Sequence, residues 1–229
     1  MLNIVLPMNF DSPYKAFSIR DFWKRWHISL TKFFTKYIYI PLGGSRRGKI
    51  LTYLNTMIVF GISGIWHGAN WTFILWGILH GAFSVMDRII EKWEKKIFRI
   101  FRWILTFVVI NILWLLFRSD SVTQWKQILQ LVLSMENITV SGDLIDCFRI
   151  PESVIISNFN LFSNIWSWQI GEFWMILFIL TSMIICLLPE NNYRNMKKNS
   201  WMNMVLAALA FCWAVICISG ESVFVYLNF

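Results

Sequence analysis

The sequence predicts an all-α protein, a polytopic membrane helical bundle of about five membrane-crossing segments with amphipathic helices at the interface. Three observations carry this reading. The chain is 57% hydrophobic and only 15% charged, whereas an ordinary soluble domain is about a quarter charged. Its apolar residues gather into runs long enough to cross a hydrocarbon core of about 30 Å. Its basic residues fall in the turns between those runs, where the charges that set membrane topology stand. A net charge of +8 would otherwise suggest nucleic acid as a partner, but charge placed this way argues against it. Membrane lipid is the partner it implies.

In chain order, residues 1–10 form a short apolar stretch closed by the turn Asp11-Ser12-Pro13; without a basic start or a long apolar core it is not expected to be a signal peptide. From Ser18 the sequence predicts one aromatic, basic helix, with Ser18 as N-cap and Asp21 at the capping-box position. Phe22, Trp26, Ser29, Phe33 and Tyr37 recur along it at helical spacing, among Lys24, Arg25, Lys32 and Lys36. Such a helix lies in the interface more readily than it spans, and anchoring to anionic lipid is its plainest role. His27 sits inside it; a lone histidine among aromatics is more often a packing residue than a catalyst.

The loop 41–49 has the outline of a phosphate loop, with Gly43, Gly48 and Lys49 at the required spacing. The magnesium-binding hydroxyl position is Ile50, however, and an apolar span follows. Nucleotide hydrolysis is therefore set aside, and the loop reads as a tight cytoplasmic turn held by Arg46, Arg47 and Lys49.

The segments 50–66 and 69–86 form a helical hairpin joined only by His67-Gly68, too short for a solvated loop. Gly61, Gly64, Gly68, Gly77 and Gly81 let neighbouring backbones approach. The stretch 55–81 is almost wholly apolar, yet it carries His67 and His80, with Asn55 and Asn70 close by. An ionisable side chain at membrane depth costs a few kcal/mol and by default marks a working site. A basic connector is expected at 87–102, then a third span at 104–117, an acidic outer connection at 118–172 containing an interfacial helix at 122–135, a fourth span at 173–188, a basic turn at 190–200 and a fifth span at 201–219. The basic turns belong to the cytoplasm, so the His67 turn points outward. The chain reads as one domain over 1–229, with an interfacial part (1–49), the histidine hairpin (50–86) and the remaining spans (87–229). Of the cysteines, Cys186, Cys212 and Cys217 lie in apolar runs and read as small buried hydrophobes; no metal site is expected.

The strings F-W-K-R-W-H-I-S-L-T (22–31), Y-I-P-L-G-G (39–44) and G-I-W-H-G-A-N-W-T-F-I-L-W-G-I-L-H-G (64–81) resemble the membrane-bound O-acyltransferase (MBOAT) family, nearest its alginate O-acetyltransferase AlgI-like branch and more distantly DltB-like D-alanyl transfer proteins. The ending V-F-V-Y-L-N-F is similar to the aromatic tail of that branch. The resemblance implies that His67 is the family's membrane histidine and His27 the polar partner of the R-W-H motif, with Asn55, His80 and Trp66 in support. It implies acyl transfer from a thioester such as acetyl-CoA, no permanently bound cofactor, an extracytoplasmic acyltransferase partner and a polysaccharide acceptor, at the cell membrane. Members are usually much longer than 229 residues; the chain therefore reads as the C-terminal half of the fold, for which a separate chain is one source of the remainder.

The residue types suit this chemistry independently. Transfer to a hydroxyl needs a base, and neutral imidazole, with a pKa of about 6.5, serves at neutral pH. Two other classes fit the same helices. A non-catalytic scaffold of a polysaccharide-modification or export complex would not need His67, and a transporter would move substrate without forming an ester.

Overall fold

A computed structural model describes residues 7–94, 98–134, 142, 170–188 and 191, together with 201, 204–205, 208–209 and 211–212. Helices and turns account for them, with no strand among the described residues. Most of the fifth span, of the basic turn before it and of the 118–172 connection, and the whole aromatic ending, lie outside what is described. The chain divides into two units, with boundaries after Val122 and after Pro189.

The first unit holds α1 (Ile19–Arg25), α2 (Ile28–Phe34), α3 (Lys49–His67), α4 (Trp71–Glu94) and α5 (Arg99–Arg118). Ser18 caps α1 as expected, its hydroxyl accepting from Asp21 N–H at 3.1 Å. The Asp21 carboxylate reaches back to Phe17 N–H at 3.2 Å, one residue before the N-cap, so the capping box closes on a neighbour. The single helix expected from Ser18 is in fact two. Trp26 turns extended and His27 adopts a left-handed backbone at φ 45°, so α2 starts afresh on a new phase. Across the break the aromatic stripe changes its surroundings: Phe22 is buried, whereas Phe33 and Tyr37 are exposed and Phe34 is the buried ring of α2. α2 runs on into a π-helical turn at Thr35–Tyr39.

Helices α3, α5 and the segment Trp71–Glu91 of α4 are each long and apolar enough to cross a membrane. Large apolar side chains cover their outward faces, including Ile58, Ile62 and Ile65 on α3 and Ile104, Leu105 and Val108 on α5. α3 and α4 cross in backbone contact. A Cβ built at Gly64 would lie 2.5 Å from the Phe73 carbonyl oxygen, and one at Gly77 would press on that of Phe60. Gly61 faces open space instead, so not every glycine of the hairpin belongs to the seam. The connector expected from residue 87 is also corrected, because α4 continues through it to Glu94. Asp87 is buried there and accepts from Arg20 N–H at 3.0 Å, while the Arg20 guanidinium pairs with Glu91 at 3.1 Å. These contacts bind α1 to the far end of α4.

The second unit contains α6 (Val122–Ser134) and α7 (Ile170–Leu187). α6 occupies the stretch read from the sequence as an interfacial helix, and α7 the stretch read as the fourth span. The apolar part of α7, Met175–Leu187, is shorter than the three helices above. Cys186 on α7 and Cys212 are exposed, so the expectation of buried cysteines fails for both. Lipid is an adequate solvent for a thiol, and an apolar run in a membrane protein does not imply an inward face.

Candidate active site

His67 ends α3, and Gly68 behind it turns the chain at φ 150°, a conformation that favours glycine. Asn70 begins α4: its side-chain oxygen accepts from Thr72 N–H at 3.2 Å. Its amide donates to the Asp120 carbonyl at 3.1 Å, tying the tip of the hairpin to the chain just past α5. The break is thus tied to the chain past α5, while Ala69, Asn70 and Trp71 themselves are exposed, so the buried link expected from the sequence is not what the structure shows.

The His67 imidazole is half-buried. Ring edges wall it, with centroid distances of 4.8 Å to Trp66, 5.1 Å to Phe117 and 5.2 Å to Trp76. Among the described residues no hydrogen bond occupies either of its nitrogens, which leaves both available to a substrate. Trp66 is mostly exposed and also meets Phe34 of α2 at 6.3 Å.

His27 stands at the corner between α1 and α2. Asn9 holds this corner: its carbonyl accepts from Ile28 N–H at 2.9 Å and its side-chain oxygen from Ser29 N–H and Oγ at 3.0 and 2.8 Å. The Ser29 hydroxyl lies 3.5 Å from His27 Nδ1. Burial lowers the pKa of His27 below its ordinary value, against a smaller opposing effect of a backbone hydrogen bond, so the ring is neutral at neutral pH. A left-handed histidine is uncommon and tends to persist where surrounding contacts over-determine it. His27 and His67 do not hydrogen-bond. A series of ring contacts runs from Trp26, beside His27 in sequence, to Trp114 (5.0 Å), Phe117 (5.8 Å) and His67.

His80 is placed one layer deeper. It is 1% exposed, accepts from the Trp23 indole at 3.1 Å through Nδ1, and packs on Trp76 at 4.6 Å. Trp76 therefore lies between the two histidines of the hairpin. Asn55 sits twelve residues before His67 on α3, about 18 Å along the axis. It donates to the carbonyls of Leu42 and Gly44 at 3.3 and 2.9 Å, fastening the basic loop rather than touching His67.

A cavity of about 310 Å³ opens between α1, α2, α3 and α4, lined among others by Arg20, Trp23, Phe34, Phe60, Ser84 and Arg88. His67 is not on its wall, but Trp23 is, and Trp23 meets Trp76 at 5.7 Å. Sequence reasoning missed Trp23, Trp76, Trp114 and Phe117. Only Trp76 left a usable signal, since it lies one helical turn before His80.

Residues 1–121, more than half of the chain, match the membrane-bound O-acyltransferase family. The chain belongs to that family. Every residue just placed, the three histidines and their aromatic walls included, falls inside the matched region. The chain is 35% identical to a peptidoglycan O-acetyltransferase of Helicobacter pylori over 99% of its own length and 44% of the relative's. It is 44% identical to a probable alginate O-acetylase AlgI of Pseudomonas syringae over 49% of its length and 22% of that protein's. A teichoic acid D-alanyltransferase of Bacillus subtilis is 28% identical over 42% of this chain and 26% of its own. The chain thus spans less than half the length of these relatives.

Proposed function

We propose that this chain is the histidine-bearing part of a membrane O-acetyltransferase, which moves an acetyl group from a thioester such as acetyl-CoA towards a hydroxyl of an extracellular polysaccharide or of a partner protein. The observation that supports this most is the setting of His67. It is an imidazole with no hydrogen bond to either nitrogen among the described residues, at the break between two long apolar helices, inside the region matched to an acyltransferase family. The hydroxyl oxygen attacks the thioester carbonyl while His67 takes the hydroxyl proton. The O–H and C–S bonds break, the C–O bond forms, and the departing thiolate receives the proton. His27 orients His67 or the donor from across the ring cluster, and Trp66 and Trp76 fix the plane of the His67 ring. Asn55 supports the site at a distance by holding the basic loop, and His80 by filling the layer below. The cell membrane is the site of action, with an extracytoplasmic acyltransferase completing delivery and a separate polypeptide, or a longer form of this one, supplying the remaining helices.

The test is His67→Ala in the native membrane, with ester-linked acetate on the cell's polysaccharide as the readout. A general base contributes about 10²–10⁴-fold, so acetylation should fall to background at unchanged protein level. Acetylation that survived the substitution would leave the scaffold reading, in which the same helices hold a complex together without chemistry. The mass of the protein made from its own locus comes first, because it decides whether His67→Ala is made in one chain or in one of two.

A further inference from the structure

Among the described residues, seven buried side-chain polar atoms have no hydrogen-bond partner, and five of them belong to one row on α4: Thr72 Oγ1, Trp76 Nε1, His80 Nε2, Ser84 Oγ and Arg88 Nε. Residues four apart form a continuous ridge on a helix. This ridge runs about 24 Å, from the tip of the hairpin to the basic end of α4. The other two are Trp114 Nε1, whose ring meets Trp76 at 6.1 Å, and Tyr39 Oη, whose side chain lines the cavity beside Ser84 and Arg88. Both of these residues thus neighbour the ridge or the cavity at its end.

Thr72, Trp76, His80 and Ser84 are each no more than 2% exposed. Buried polar groups are nearly always paired, and each that is not costs about 1–3 kcal/mol. The usual remedy in a membrane helix is a bond from a hydroxyl to the carbonyl one turn back. This protein uses it at Thr52, Thr56, Thr106 and Ser119, at 2.7–2.8 Å. Thr72 and Ser84 do not. His80 is also fixed in its form: with Nδ1 accepting from Trp23, the neutral ring carries its proton on Nε2, as a donor. Trp76 and Arg88 offer N–H donors as well, so the ridge presents fixed donors separated by hydroxyls. Water oxygens satisfy such a row, and a water requires two to four polar partners to stay in a protein interior.

We propose that the ridge Thr72–Trp76–His80–Ser84–Arg88 is the wall of a hydrated path joining the basic cavity to the ring cluster around His67. Its lower end is the cavity itself, where Arg20, Lys24 and Arg88 gather. Towards its upper end, between Thr72 and His80, Trp76 is in edge contact with His67. His80 is a positioning residue in this path, locked by Trp23. Through it His67 exchanges protons with the basic side without their crossing lipid; that consequence rests on the proposed base role of His67, whereas the path itself does not.

The experiment is cysteine accessibility in native membranes, on the chain with Cys147, Cys186, Cys212 and Cys217 replaced by serine. Thr72→Cys and Ser84→Cys are compared with Ile78→Cys and Ala82→Cys, which lie on the exposed side of the same helix. The probe is methyl methanethiosulfonate, small and neutral, which reacts with thiolate and hence only where the thiol meets water. A hydrated path predicts reaction at both Thr72→Cys and Ser84→Cys at least about tenfold faster than at the two outward positions. Rates equal to those controls overturn the proposal, and so does reaction at only one of the pair, which would confine water to one end. Labelling requires no turnover, so an inactive His67→Ala protein would defeat the acyltransfer reading and leave this one standing.

Discussion

On α3, Thr52 and Thr56 each donate to the carbonyl one turn back at 2.8 Å, and Asn55 gives both amide protons to the loop before it. On α4, at similar length and hydropathy, Thr72, Trp76, His80 and Ser84 keep buried polar atoms unpaired within the described protein. The two arms of one hairpin therefore use polarity differently. In α3 it serves the fold, closing on backbone that is already there. In α4 it is left open, and His67, the proposed base, stands where the two arms join. The lesson is that polar residues in a membrane helix are sorted by their partners and not by their number.

Five substitutions break or sharpen this contrast. The largest effect is expected where the arms touch. Gly64→Ala forces a Cβ against the Phe73 carbonyl, which cannot rotate away, and should cost about 3 kcal/mol; Gly61→Ala, into open space, should be neutral or gain about 0.5–1 kcal/mol. Thermal unfolding in detergent separates the two, and equal midpoints would remove the backbone crossing from the account. Next, Asn55→Leu leaves the Leu42 and Gly44 carbonyls without their donor, at about 1–3 kcal/mol. Trypsin should then cut sooner at Arg46 or Arg47 while His67 keeps its activity; unchanged cleavage would mean that Asn55 does not fasten the loop. Asn70→Ala removes the N-cap of α4, worth about 1 kcal/mol, and loosens the tip that carries His67. Here acetyl transfer should fall more than stability does, and a matched loss would make the cap purely structural. Smallest is the Arg20–Glu91 pair. Its carboxylate side chain is 64% exposed, so Glu91→Gln should change stability by well under about 1 kcal/mol, and a shift in unfolding midpoint beyond scatter would show that the α1–α4 junction is less wet than its exposure indicates.

Much of this was legible in the residues, and the parts that were not failed for identifiable reasons. The N-cap at Ser18 was readable because a cap is a local bond between near neighbours. The break at His27 was not: every residue from Ile19 to Tyr37 tolerates a helix, and the corner is imposed by Asn9 across a gap in sequence. The hairpin and its histidines stood out because charge and polarity are rare in apolar runs. Gly64 and Gly61 look alike in the sequence, and only the position of Phe73 distinguishes them. The continuation of α4 past residue 86 was hidden by its charges, which read as a connector until Arg20 and Asp87 were brought together.

The sequence by itself determined the solvent, the helical class, the hairpin and the identity of the base candidate, because each depends on composition or on spacing within a single helix. Tertiary structure alone decided which polar atoms are satisfied. His67 is walled by rings from α3, α4 and α5, and His80 is locked by an indole from α1, 57 positions away. Pairing of that kind is a property of two surfaces meeting, and no single helix carries the information for it.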